Sequence, residues 1–218
     1  MPVHLLYLDT SASPSRVLLF REGGEVLQRQ HAEQKDHGAL IHTHIDEMLS
    51  EAGLDFTDLS AVCVLNGPGS YTGLRISLSV AKGLCFALNL PLILLNKLEV
   101  LFHHSDPGQR AGQNAVLLHA RSGECFSAIY GKDGVALQAP GLSTIADVQA
   151  LQQANPLRII SMHNALPECI PADECPEWDP GILEGICRNA WNSREFADLF
   201  LSEPYYLKNV HVNKINKL

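Results

Sequence analysis

No block of basic residues occurs anywhere in the sequence. Its 218 residues hold 16 Lys and Arg against 24 Asp and Glu, a formal net charge of -8. Proteins that grip a duplex through many phosphates present a basic face, so the composition argues against direct, stand-alone nucleic-acid binding. No apolar run approaches the ~18 residues of a membrane span. The opening Met1-Pro2-Val3-His4-Leu5 passes straight into a strand pattern, without the charged start and cleavage site of an export signal. The six cysteines (Cys63, Cys85, Cys125, Cys169, Cys175, Cys187) show neither zinc-ligand spacing nor a dense disulfide framework. Three lie inside apolar runs, where Cys acts as a small hydrophobe. A reduced, cytoplasmic setting is the expectation. There is no Gly-x-Ser-x-Gly elbow either, which removes the usual basis for a Ser-His-Asp hydrolase.

What is present is a run of short elements. His4 to Asp9 reads as a buried strand ending in a carboxylate, and Thr10 to Ser15 as turn chemistry. Arg16 to Phe20 and Glu25 to His31 complete an antiparallel meander. Asp36 is placed to cap a helix whose apolar positions Leu40, Ile41, Ile45, Met48, Leu49 and Ala52 lead to Gly53. A buried strand over Leu59 to Leu65 then enters Asn66-Gly67-Pro68-Gly69-Ser70-Tyr71-Thr72-Gly73-Leu74-Arg75. Ser70 or Thr72 can cap the long apolar helix that follows, to about Leu88, and Leu90 to Leu95 is a further strand. Strand, glycine-rich turn and helix start together form the layout that aims backbone N–H groups at an anion.

The order β-β-β-α-β-α-β resembles the ribonuclease-H-like unit of the actin, Hsp70 and sugar-kinase superfamily. The expected fold is therefore α/β and two-lobed, with mixed sheets flanked by helices. Residues 1–106 are expected to form an N-terminal actin-like lobe, with a C-terminal helix at about 190–218 packing back on it. Residues 107–189 form a smaller second lobe, after a boundary at Pro107 to Gly112. That lobe reads as strands Ala115 to His119, Cys125 to Tyr130 and Val135 to Ala139. A helix from Ile145 to Gln153, capped by Ser143 or Thr144, and a strand from Leu157 to Ser161 follow. A turn at Arg121 to Glu124, an irregular segment 164–181 and a helix from Gly181 to Leu201 complete the pattern.

Leu8-Asp9-Thr10-Ser11, the loop Gly67 to Arg75, Ala81-Lys82-Gly83-Leu84 and the closing Glu203-Pro204-Tyr205-Tyr206-Leu207-Lys208-Asn209 resemble the bacterial TsaB (YeaZ) family. The resemblance covers the first hundred residues well and the middle weakly. It implies a non-catalytic partner of a TsaD-like catalytic subunit, which makes N6-threonylcarbamoyladenosine in tRNA, with a TsaE-like ATPase acting on the pair. A homodimer is expected when the chain is alone, and tRNA only through the complex. TsaD-like proteins carry Asn-His-x-Glu-x-His for a metal. Here the matching stretch is Asn96-Lys97-Leu98-Glu99-Val100-Leu101, and neither an ammonium nor an alkyl side chain replaces imidazole as a ligand. The adjacent His103 and His104 point to different helix faces and read as surface or helix-end residues. No catalytic residue, metal or cofactor is expected.

Two sets of candidate site residues remain. Asp9, Gly67, Gly69, Ser70 and Thr72 are candidate phosphate or nucleotide contacts, and they support the alternative of a stand-alone ATP-dependent phosphotransferase. Against it, no glycine triplet of the kind that holds adenosine follows residue 134, and a lone Asp at a strand end commonly forms a turn. The second set is a partner surface. At ~100° per residue, Gly73, Ser77, Val80 and Leu84 fall on one helix stripe. Small residues there suggest close approach by another helix. With Ile76 beside the stripe and His37, Ile41 and His44 on the preceding helix, these residues are the candidate interface. Cover by the chain's own elements is the competing explanation, and a purely structural homodimer is a third reading.

Overall fold

The computed structural model describes residues 2–32, 37–120, 123–154, 156–162 and 170–206, with only the backbone of His37. Nine strands and five helices longer than one turn occur among them. The first sheet is built from β1 (Leu5–Asp9), β2 (Ser15–Phe20), β3 (Val26–His31), β4 (Ala61–Gly67) and β5 (Leu92–Asn96), in the order β3-β2-β1-β4-β5. The meander pairs antiparallel, with Asp9 opposite Arg16, and β1, β4 and β5 run parallel. α1 (His37–Ala52) and α2 (Tyr71–Leu88) are the crossovers, the arrangement of a ribonuclease-H-like lobe.

Every residue of β1 is buried, because both faces of this sheet are covered. One face puts Leu6, Leu8, Val62 and Val64 against Ile41, Ile45 and Met48 of α1 and Leu78, Ala81 and Cys85 of α2. The other puts Leu5, Tyr7, Leu18, Cys63 and Ile93 against Leu183, Cys187 and Ala190. Those three belong to α5 (Pro180–Asn192). Each fully buried aliphatic side chain contributes about 1.5–3 kcal/mol. The second sheet has the order β8-β7-β6-β9, from β6 (Asn114–His119), β7 (Glu124–Tyr130), β8 (Ala136–Thr144) and β9 (Arg158–Ser161). α3 (Lys97–His104) lies under it, with Leu98, Leu101 and Phe102 packed on Val116, Ala128, Tyr130 and Ile160. α4 (Ile145–Ala154) places Val148 on its opposite face.

Two elements end well away from the sequence expectation. The strand expected over Val135 to Ala139 continues to Thr144 through Pro140, with shifts in register. An edge strand tolerates a missing N–H, and β8 is an edge. The helix expected from Gly181 to Leu201 stops at Asn192. There Arg194 adopts φ +56°, its N–H donates to Trp191 O, and Glu195 N–H donates to Ala190 O at 2.9 Å. This is a Schellman-type stop built on Arg where glycine is usual. The helix packed on the first sheet is therefore 180–192, and 193–206 continues without α-helix. Asp36, Arg121, Ser122, Leu207 to Asn209, residues 164–169 and the end of the 190–218 range lie outside the described residues.

Candidate functional site

β1 delivers Asp9, Thr10 and Ser11 to its carboxyl end, all buried. Asp9 Oδ1 accepts from the Ser11 N–H at 2.8 Å and from the Ser11 hydroxyl at 2.6 Å, so the carboxylate forms the turn. Its other oxygen, Oδ2, is buried without a hydrogen-bond partner. Lys97, the first residue of α3, is 3 % exposed and donates from Nζ to Ser11 Oγ at 3.2 Å. The Asn96 side chain caps that helix by accepting from Leu98 N–H at 2.9 Å. Burial lowers the Lys97 pKa from the ordinary lysine value, and the Asp9 charge opposes the shift. On the other side of Asp9, Arg16 holds its guanidinium 4.8 Å over the Trp178 ring.

The glycine loop is pressed onto this turn. A Cβ on Gly69 would lie 2.7 Å from Ser11 Cβ, and one on Gly73 only 1.9 Å from the Thr10 carbonyl oxygen. Thr10 donates its hydroxyl to Gly73 O at 2.6 Å and accepts from Ser77 N–H at 3.2 Å. Ser70 N–H donates to Ser11 O at 2.9 Å, Gly73 N–H to Ser70 Oγ at 3.4 Å, and Leu74 N–H to Ser70 O at 2.8 Å. These donors, which a phosphate would recruit, are thus already engaged within the chain. Gly67 is buried, whereas Gly69, Ser70 and Thr72 are exposed.

The candidate interface residues separate into two groups. Ser77 is 0 % exposed and, with Gly73, faces β1; Ile41 is 2 % exposed in the chain's own core. For these three the partner expectation gives way to internal packing, and the absence of a side chain at residue 73 is explained by the close approach of Thr10. Ile76, Val80 and Leu84 are half-buried, and Val80 and Leu84 touch the first core only in part. Gly83, Phe86 and Ala87 of the same helix are exposed. α1 runs beside this side, where a Cβ on Gly38 would be 3.6 Å from Ile76 Cδ1. His44 is half-buried, and burial lowers its pKa. The His37 side chain lies outside the described part.

Part of the polar side of α2 meets the chain's own residues 200–206, while Arg75 and Ser79 stay exposed. Lys82 Nζ donates to the carbonyls of Phe200 at 3.2 Å and Ser202 at 3.1 Å. Tyr206 stacks on Tyr71 with centroids 4.8 Å apart, and Arg75 donates to the Tyr71 hydroxyl at 2.9 Å. Burial, then the neighbouring Tyr71, raise the Tyr206 pKa. Sequence reasoning missed this contact, although an adjacent aromatic pair at Tyr205-Tyr206 was a signal. It also missed His104. That ring is buried, stacked 4.8 Å from Trp178, with Nδ1 2.7 Å from Val100 O and Nε2 3.1 Å from Asp179 O. His104 is a helix-end residue as expected, but not a surface one. Burial, Arg110 and His104 lower the pKa of its neighbour His103.

Comparison with known proteins follows the same residues. Residues 25–167 match the family model described as TsaD, tRNA N6-adenosine threonylcarbamoyltransferase. The tRNA threonylcarbamoyladenosine biosynthesis protein TsaB of Haemophilus influenzae is 33 % identical over 123 residues, 56 % of this chain and 51 % of that protein. The TsaB of Escherichia coli is 28 % identical over 136 residues, 60 % of this chain and 56 % of that protein. These matches span only about half the length of the curated relatives. YeaZ from Pseudomonas aeruginosa superimposes with a TM-score of 0.70 at 25 % identity, over 94 % of this chain and 100 % of that one. The glycine loop, the two-lobed fold and these similarities agree, and the chain belongs to the TsaB/YeaZ family.

Proposed function

We propose that this chain is the non-catalytic partner of a TsaD-like enzyme and supports N6-threonylcarbamoyladenosine formation in tRNA. Similarity to proteins described as tRNA threonylcarbamoyladenosine biosynthesis protein TsaB supports the pathway. The observation that carries the partner role is the outward side of α2, where Ile76, Val80, Gly83, Leu84 and Ala87 leave an apolar, small-residue surface partly open. Lys97 supports the absence of catalysis, since an ammonium held against Ser11 occupies the place of a metal-binding imidazole in TsaD-like chains. A TsaE-like ATPase would act on the assembled pair, tRNA would be engaged through the complex, and the same helix surface would pair two copies when the partner is absent.

Val80→Glu tests the reading. Val80 is half-buried, so the variant is expected to remain folded by circular dichroism. A carboxylate at a buried apolar contact costs about 2–5 kcal/mol of binding, which removes the TsaD-like subunit from the eluting complex in gel filtration. A folded variant that assembles at wild-type affinity overturns the surface assignment. One observation favours a second reading, an ATP phosphotransferase: the buried Asp9 Oδ2 has no partner. Steady ATP hydrolysis by the pure protein, abolished in Asp9→Asn, would establish that reading instead.

A further inference from the structure

The described chain ends in a segment, 197–206, that is fastened at several points. Ala197 N–H donates to Leu92 O at 2.8 Å, which attaches its start to β5. Asp198 Oδ1 accepts from the N–H groups of Phe200 and Leu201, each at 2.8 Å, closing a turn. These two bonds lower the Asp198 pKa. Lys82 then holds the carbonyls of Phe200 and Ser202 on α2, and Tyr206 stacks on Tyr71.

Tyr205 makes contacts to both sheets. Its N–H donates to Asn66 O at 2.8 Å, at the end of β4, and its carbonyl oxygen lies 3.0 Å from where a Cβ on Gly67 would be. Gly67 has φ +125°, a conformation that side chains resist, so glycine there permits both the turn and the approach of Tyr205. The phenol crosses to the second lobe, where its hydroxyl donates to the Pro140 carbonyl of β8 at 3.0 Å. Pro140 lies at a shift in register of the edge strand, where a carbonyl can face away from the ladder.

We propose that residues 197–206 are an inter-lobe strap, with Tyr205 as the positioning residue that pins the second sheet to the glycine-loop end of the first. α3 joins the lobes through buried apolar contacts, Val100 in the first core and Leu98, Leu101 and Phe102 against the second sheet. The strap joins them through two hydrogen bonds of one residue, and release of either end loosens the other. The second lobe is thereby linked, through Tyr205 and its stacked neighbour Tyr206, to the first turn of α2.

Native-state hydrogen exchange on the full chain, comparing wild type with Tyr205→Phe, tests this. The variant keeps the ring and removes only the hydroxyl. If the two ends are coupled, the Tyr205 amide, bonded to Asn66 rather than to the second lobe, exchanges about fivefold faster, the loss expected for one modest hydrogen bond. Amides of β1 keep their wild-type rates. An unchanged Tyr205 amide overturns the proposal, because the hydroxyl would then not hold the strap. An equal acceleration across β1 also overturns it, because the effect would then be a general loss of stability. Lys82→Met is a second test. It removes a contact on α2 alone, and the Tyr205 amide should again exchange faster, by a smaller factor; no change there shows that the segment does not act as one strap.

Discussion

The covered and open stretches of α2 have similar residues and opposite circumstances. Gly73 and Ser77 face in: Thr10, just after β1, occupies the space in front of Gly73 and accepts from the Ser77 N–H. Gly83 and Ala87 face out, and a Cβ on Gly83 meets nothing within 4 Å. Small residues on a helix thus occur both against a neighbour already present and beside open space, which the partner proposed above would fill. Spacing cannot separate them, since both sets keep the helical period. Only the position of β1 does.

The largest expected effect breaks the inward side. Gly73→Ala puts a methyl 1.9 Å from a backbone oxygen, which no rotamer change relieves. The helix must leave β1, at a cost of several kcal/mol, and the variant is expected to be insoluble or unfolded by circular dichroism. A folded protein with a wild-type melting temperature would show that the inward contact is looser than described.

Lys97 gives the next effect, on the turn that the inward side packs against. Lys97→Met removes the bond to Ser11, a loss of about 1.5 kcal/mol in urea denaturation at neutral pH. The pH dependence has a definite sign. The folded-state pKa of Lys97 is lowered, so between that value and the unfolded ~10.4 the unfolded chain binds more protons, and stability rises with pH. That rise should be present in the wild type and absent in Lys97→Met. An identical slope in the two proteins would mean that the lysine is not held as described.

The smallest effect belongs to the outward side. Gly83→Ala is expected to raise stability by no more than about 1 kcal/mol, through helix propensity alone. Gly83→Gln should leave the melting temperature within a few degrees and, on the proposed partner surface, weaken assembly with a TsaD-like subunit. If Gly83→Gln unfolds the chain, the two sides of α2 are not different in kind.

The sequence disclosed the first sheet and its crossovers because their signals are local: buried alternation, glycine turns and a Ser70 cap. It disclosed Asp9 as a turn-former, which its bonds to Ser11 show. It did not disclose which neighbour Gly73 serves, since Thr10 is 63 residues away in the chain. The end of α5 was missed because its left-handed residue is Arg194, where a pattern reader looks for glycine. The Tyr205 contacts join residues 205, 66 and 140, and no window of sequence contains all three.

The placement of α5 has a consequence for synthesis of the chain. The first sheet's strands are translated by residue 96, yet one of its faces is covered by Leu183, Cys187 and Ala190. While the ribosome adds the second sheet, Leu5, Tyr7, Leu18, Cys63 and Ile93 therefore have no helix of α5 to shield them, an interval of some 90 codons, several seconds at ordinary elongation rates. During that interval the nascent chain offers a greasy sheet surface to chaperones, and a transcript truncated before codon 180 would yield a product that never loses it.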